Sequence, residues 1–223
     1  MSDMLDRTQK SAKQRFIGLA IEFDVLRFGE FELKSGRISP YFFNAGNFNS
    51  GKALAVLGEC YADAIVESGI ETDVLFGPAY KGIPLVAATS AALYQKYQLD
   101  YPLCFDRKEA KAHGEGGKIV GADLRGKRAL ILDDVITAGT AVSQVVRLIE
   151  ENDATLAGVL VGLDRQEKSV DQDSSAMQQL SASYGVPVFS IVTLNDIRTH
   201  LTQNVMDTGL LQKVDAYRDQ YGV

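Results

Sequence analysis

The segment Ile131–Thr140, ILDDVITAGT, joins side chains that can do chemistry to a backbone that can hold an anion. Two adjacent carboxylates, Asp133 and Asp134, follow an apolar run at 129–132 that reads as a buried strand. Thr137-Ala138-Gly139-Thr140 then makes a small polar turn, and a helical apolar period begins near Ala141. A strand, a turn of small residues and a helix N-terminus form a cradle whose N–H groups and helix dipole face an anion. Carboxylates beside it accept hydrogen bonds from hydroxyls and coordinate hard cations. A phosphate site next to a diol or metal site suits a phosphorylated sugar.

Two further segments carry compatible chemistry. The stretch Arg107–Gly121, RKEAKAHGEGGKIVG, holds Arg107, Lys108, Lys111, His113 and Lys118, with Gly114, Gly116 and Gly117 among them. It reads as a long loop with glycine hinges, a type of segment that often serves as a lid. Its cations suit a dense anion such as diphosphate, whose negative charge grows as it leaves. Read alone, the same stretch is an ordinary solvated surface loop; the neighbouring ILDDVITAGT turn is what favours the lid. The second segment is Gly77–Pro84, GPAYKGIP, in which Gly77 and Pro78 force a tight turn and Lys81 precedes a helix.

The elements that must position these residues follow from hydrophobic periodicity. Phe16, Leu19, Ala20, Phe23 and Leu26 recur at helical spacing over residues 10–28. Lys34-Ser35-Gly36-Arg37 reads as the turn of a hairpin whose second strand runs from Ile38 to Phe43. Ser50 caps a helix that Gly69 stops. Strands at 73–76, 102–105, 128–132, 156–163 and 186–192 then alternate with helices at 82–95, 141–152 and 174–183. Near-continuous apolar strands alternating with helices predict a parallel sheet covered on both faces, an α/β fold. Ligands bind such sheets at the carboxyl ends of the strands. Asp133, Asp134, Lys81, Arg107 and Arg165 all follow predicted strands, so they converge on one rim.

Composition narrows the function classes. The 223 residues carry a net charge of −6, which disfavours general nucleic-acid binding. Cys60 and Cys104 are solitary, which predicts buried, reduced thiols in a cytoplasmic protein. No apolar run is long enough for a transmembrane helix, and the polar N-terminus does not read as a signal peptide.

ILDDVITAGT resembles the phosphoribosyl-diphosphate-binding signature of the type I phosphoribosyltransferases. LKSGRISPYFFNAG at 33–46, GPAYKGIP at 77–84, RKEAKAHGEGG at 107–117 and LDRQE at 163–167 narrow the resemblance to the orotate phosphoribosyltransferases. It extends from about residue 16 to about 200. It implies a single domain over 1–223, with a central parallel sheet flanked by helices. A small hood would come from about 10–50 plus part of the C-terminal region, a core from about 51–192, and a flexible catalytic loop from about 107–121. It further implies a cytoplasmic enzyme of pyrimidine biosynthesis that uses magnesium. The expected assembly is a homodimer in which part of the catalytic loop serves the neighbouring subunit, with no nucleic-acid or membrane partner.

Residue roles carry over by position. Lys108, Lys111, His113, Asp133 and Asp134 are the expected catalytic residues. Phosphoribosyl diphosphate is expected to meet those five together with Lys34, Tyr80, Lys81, Arg107, Val135, Ile136, Thr137, Ala138, Gly139, Thr140 and Ala141. Phe42, Phe43, Thr137 and Arg165 are the expected orotate contacts: flat rings for stacking, and a planar guanidinium fork matched to a carboxylate. No residue is assigned as a firm metal ligand, because magnesium usually binds through substrate phosphates and keeps several waters. Phe42 and Phe43 also read as plain core aromatics, Arg165 as a surface ion pair, and His200 as a surface histidine. A phosphoribosyltransferase for another base would keep 129–141 without predicting KSGR, YFFN or the basic GEGG segment. A non-catalytic phosphoribosyl-diphosphate-binding regulator would be expected to lack the loop cations, and a phosphoacceptor receiver domain would carry its acidic pair near the N-terminus.

Overall fold

The computed structural model describes residues 11–111, 117–136, 139–170, 172–204 and 208–223. Helix α1, Ala12–Glu22, opens on a reciprocal cap in which the Ser11 side chain accepts the Gln14 N–H and the Gln14 side chain accepts the Ser11 N–H. It stops at Glu22, short of the period read through residue 28. The Phe23 N–H returns to the Leu19 carbonyl at 3.1 Å, and Asp24 takes a left-handed φ of 53°. That reversal hands the buried Leu26 to strand β1, Leu26–Glu32, which pairs antiparallel with β2, Ile38–Phe43. Their turn closes through the Leu33 N–H to the Arg37 carbonyl at 2.9 Å, with Gly36 at a φ of 78°. This two-stranded sheet stands apart from the main one.

Helix α2, Gly51–Ser68, is capped by the Ser50 hydroxyl and ended by left-handed Gly69, as expected. The remaining elements are β3 (Val74–Gly77), α3 (Gly82–Tyr97), β4 (Leu103–Lys111), β5 (Gly117–Gly121), β6 (Arg128–Val135), α4 (Thr140–Glu150), β7 (Thr155–Asp164), α5 (Ala176–Tyr184), β8 (Val188–Thr193), α6 (Leu194–Asn204) and α7 (Thr208–Tyr221). Six strands form the main sheet in the order β5-β4-β3-β6-β7-β8. Every pairing is parallel except β4 with β5.

The antiparallel pair corrects the reading of 107–121 as one loop. Arg107–Lys111 continue β4, and Gly117–Gly121 return beside it in the register Cys104↔Gly121, Phe105↔Val120, Asp106↔Ile119 and Lys111↔Gly117. Charged residues fill this part of β4 because it lies at the sheet's margin, where neither face needs a continuous apolar run. Residues 112–116 lie outside the described residues.

The core forms two layers, one on each face of the sheet. Val74, Phe76, Ala129, Ile131, Val159 and Val161 point toward α4 and α5, while Leu75, Leu130, Leu132 and Leu160 point toward α1, α2 and α3. That alternation is the strand period of two. Asp63 ties the second layer together: this buried carboxylate receives Arg15 from α1 and Lys96 and Tyr97 from α3. Burial alone would raise its pKa, but these hydrogen bonds hold it below the ordinary value.

Helices α2 and α3 meet at Gly58, where an added Cβ would lie 2.5 Å from the Ala88 carbonyl oxygen and 3.1 Å from the Ala88 Cβ. Gly58→Ala is therefore expected to destabilise the protein by about 1–3 kcal/mol through overpacking. A thermal melt reads this as a lowered Tm; an unchanged Tm would show that the two helices separate without cost.

Candidate functional site

The chain leaves β3 toward β4 and β5, then returns to lay β6 on the other side of β3. Such a reversal opens a crevice beyond the carboxyl ends of the two strands. The turn after β3 forms one wall and the turn after β6 the other. Glycine is required in the first: a Cβ on Gly77 would lie 2.3 Å from the Gly82 carbonyl oxygen, and one on Gly82 would lie 2.6 Å from Pro78 Cδ. The Gly82 N–H donates to the Pro78 carbonyl at 2.8 Å, closing the turn into α3. The Ala79–Tyr80 peptide is cis. The Ala79 N–H donates to Asp106 of β4 at 2.6 Å, and the Lys108 ammonium lies 5.1 Å from the centre of the exposed Tyr80 ring. Lys81 reaches across the crevice to Asp134, with Nζ 2.7 Å from Oδ2.

The second wall carries the acidic pair at the end of β6. Asp133 Oδ1 accepts the Asp134 N–H, and Asp134 Oδ1 accepts the Val135 N–H, both at 2.9 Å. Tyr61, buried on α2, donates its hydroxyl to the Asp133 carbonyl at 2.7 Å. Gly162 of β7 leaves the space: a Cβ there would lie 2.9 Å from the Phe16 ring and 3.0 Å from the Tyr61 oxygen. Gly139, at a φ of 68°, starts α4. Thr137 and Ala138, and the side chain of Thr140, lie outside the described residues. So do His113 and the side chain of Lys111, whose backbone ends β4 opposite Gly117. Arg107 and Lys108 are strand residues of β4, and Ala141 is an exposed residue of the first turn of α4.

A cavity of about 370 Å³ adjoins the crevice, and it gathers Lys34, Phe42, Phe43, Val135, Ile136 and Arg165. Its walls are the β1–β2 hairpin, the ends of β6 and β7, and the start of α5. Phe43 stacks on Phe16 with centroids 6.3 Å apart, and Phe42 packs on Phe31 at 5.5 Å with the Arg27 guanidinium over it. Both rings are thus braced by neighbours and still line the cavity. Phe43 also lines a smaller cavity of about 120 Å³ that reaches Lys81 and Asp134.

Arg165 lies over the Tyr41 ring at 4.6 Å, and its Nε donates to Glu167 at 2.9 Å. Sequence reasoning passed over Tyr41, Arg37 and Glu167. A carboxylate two residues after an arginine in LDRQE was the available signal.

Among the described residues no three His, Cys, Asp or Glu side chains come together as a metal cage. Two adjacent carboxylates fit a hard cation that brings phosphate oxygens and water as its other ligands. Also among the described residues, no helix is long and apolar enough to cross a membrane. Cys60 and Cys104 are free and buried, and burial pushes both thiols up to about 12.

Burial first, and then the adjacent Asp134 charge, push the Asp133 carboxyl up to about 7. A folded-state value above the unfolded one means the native protein holds the extra proton between the two. This group's contribution to stability is therefore complete below about pH 4 and is lost as pH rises through about 7. Asp133→Asn keeps the acceptor for the Asp134 N–H and removes the buried charge. Its Tm should exceed that of the parent by about 2–4 °C or more at pH 8, corresponding to about 1 kcal/mol or more. The difference should shrink toward pH 4.5; a pH-independent difference would refute the linkage.

The family model for the phosphoribosyl transferase domain matches residues 44–193. The chain is 58% identical over 208 residues to the orotate phosphoribosyltransferase of Pseudomonas syringae pv. tomato, covering 93% of this chain and 97% of that protein. It is 56% identical over 214 residues to that of Vibrio cholerae, covering 96% and 100%. The crystal structure of orotate phosphoribosyltransferase from Francisella tularensis superposes with a TM-score of 0.86 at 47% identity, over 93% of this chain and 99% of that one. The parallel sheet with its reversal between β3 and β6, the acidic pair, the glycine-closed lysine turn and these relatives agree, and the chain belongs to the phosphoribosyltransferase family, among the orotate phosphoribosyltransferases.

Proposed function

We propose that this protein transfers the 5-phosphoribosyl group of 5-phospho-α-D-ribose 1-diphosphate to orotate, giving orotidine 5′-phosphate and diphosphate in the de novo synthesis of pyrimidine nucleotides. The observation that carries this reading is the adjacency of two differently built compartments that share the Phe43 ring as a wall. A crevice with Lys81 facing Asp134 opens beside a cavity with aromatic walls and the Arg165 guanidinium. The first suits a sugar with anionic groups, and the second a flat anion.

The ring nitrogen of orotate attacks the anomeric carbon as the bond to diphosphate breaks, and the proton of that nitrogen leaves with the diphosphate. Positive charge grows on the ribose and negative charge on the leaving group. Asp133 and Asp134 hold the ribose hydroxyls and lie close to the growing positive charge. Residues Val135, Ile136, Thr137, Ala138, Gly139, Thr140 and Ala141 wrap the 5′-phosphate with backbone N–H groups at the start of α4. Lys81, with the backbone at Tyr80, meets the diphosphate after leaving Asp134. Arg107, Lys108, Lys111 and His113 clamp that group, and Lys34 reaches it from the hairpin turn. Phe42 and Phe43 flank the base, Thr137 contacts it, and Arg165 takes its carboxylate. Asp133 and Asp134 would face a magnesium ion bound with the diphosphate, and such an ion would offset the charge of the leaving group. The resemblance also supports a cytoplasmic homodimer in which part of the 107–121 segment serves the neighbouring site.

The experiment is to mix the protein with magnesium, phosphoribosyl diphosphate and orotate, and to follow the loss of orotate absorbance beside uracil, adenine and hypoxanthine controls. Loss with orotate alone is expected. Turnover of another base instead would overturn the reading of the aromatic cavity. No turnover with any base, together with tight binding of the sugar diphosphate, would make the protein a binding regulator.

Two variants test the assigned roles. Lys111→Ala should fold normally and lose about 10²–10³ in kcat, the scale for removing one donor to developing charge; near-normal kcat and KM would remove the clamp from the mechanism. Arg165→Ala should raise the KM for orotate about 10–100-fold, the scale of one charge-assisted hydrogen bond. The KM for phosphoribosyl diphosphate should stay close to its parent value; an equal rise in both would separate Arg165 from the base.

A further inference from the structure

We infer that Glu167 is the positioning residue of the base site: it fixes the Arg165 guanidinium in the one orientation that serves an anionic base. The inference rests on Arg165 as the partner of the base carboxylate.

Arg165 is held on one face and one edge. The Tyr41 ring lies against its flat face at 4.6 Å, a cation–π contact that leaves the guanidinium free to turn in its own plane. Glu167 stops that turn. Its Oε1 accepts from Arg165 Nε at 2.9 Å and lies 2.7 Å from Nη2. Nη2 is buried without an aligned hydrogen bond, and Nη1 makes none among the described residues. Nη2 is already paired with the Glu167 oxygen and closed off, so Nη1 carries the donor capacity that the described residues leave unused.

Glu167 is itself over-determined. Tyr41, fully buried, donates its hydroxyl to Oε1 at 3.2 Å. Arg37, from the hairpin, lies 3.7 Å from Oε2 and donates to the neighbouring Lys168 carbonyl at 2.9 Å. The C-terminal residues clamp the backbone from the other side: Glu167 bridges Gly222, the Lys168 N–H donates to the Tyr221 carbonyl at 2.8 Å, and the Val223 N–H donates to the Gln166 carbonyl at 3.0 Å. The Glu167 carboxylate, only 14% exposed, thus lies between two arginines that both line the cavity. Without it, two cations would share a low-dielectric wall with no carboxylate between them.

The test is a double-mutant cycle between Arg165→Ala and Glu167→Ala, read as separate KM values for orotate and phosphoribosyl diphosphate. Glu167→Ala should raise the orotate KM roughly ten-fold and leave the other KM within about two-fold. Glu167→Gln, whose amide oxygen still accepts from Arg165 and Tyr41, should recover part of the loss and carries the test if the alanine variant does not fold. In the Arg165→Ala background, Glu167→Ala should add less than about two-fold. An equal effect of Glu167→Ala in both backgrounds, or an equal rise in both KM values, would overturn the proposal. If Arg165→Ala raises the orotate KM and Glu167→Ala does not, the positioning role alone fails. If Arg165→Ala itself leaves the orotate KM unchanged, the base-site reading fails and takes the role of Glu167 with it.

Discussion

Two carboxylates placed side by side at the end of a buried strand repel each other and lose their water, and the surrounding structure answers that cost. Each accepts a backbone N–H from the next residue, Tyr61 anchors the carbonyl between them, and Lys81 neutralises the outer one. The inner one keeps a raised affinity for a proton. A strand end built for stability alone would not carry this pair. The protein tolerates it where a reversal of strand order brings a lysine turn opposite, which is where an α/β sheet binds ligands.

The aromatic cavity solves a different problem, that of holding a cation in apolar surroundings. Here the hairpin, the loop after β7 and the C-terminal residues converge. The hairpin supplies Arg37, Tyr41, Phe42 and Phe43, while the loop supplies Arg165 and Glu167. Tyr221 packs against the Arg37 guanidinium at 4.7 Å, and Tyr217 lies edge-on to Tyr41 at 6.2 Å. The two-stranded sheet is thereby joined to the main domain through charged and aromatic side chains as well as through aliphatic packing.

How far the sequence alone reached depends on the kind of order involved. The central strands were readable because burial on both faces demands continuous apolar runs, as in Leu156–Leu163. Helix caps at Ser50 and Gly69 were readable because those residue types perform local backbone tasks. Strand β5 and the outer half of β4 were not, since a marginal strand tolerates Arg107, Lys108 and Glu109 and shows no period. The end of α1 was missed because Leu26 satisfies a helical and a strand pattern equally, and only the left-handed Asp24 decides between them. At the site, residues with a recognisable local pattern, such as Asp133, Asp134 and Lys81, could be named in advance. Glu167 could not, because its significance lies in meeting Arg37 and Tyr41 from a hairpin more than 120 positions earlier in the chain.

The Phe43 ring forms part of the wall of both cavities, the one holding Arg165 and the one reaching Lys81 and Asp134. A partition shared by two compartments links their occupancies only through a displacement of the partition itself. Any occupant that shifts the ring in one compartment alters the space offered by the other, and the free energy of that effect is the same in both directions. Any coupling between the two compartments would therefore have one phenyl group as its common coordinate.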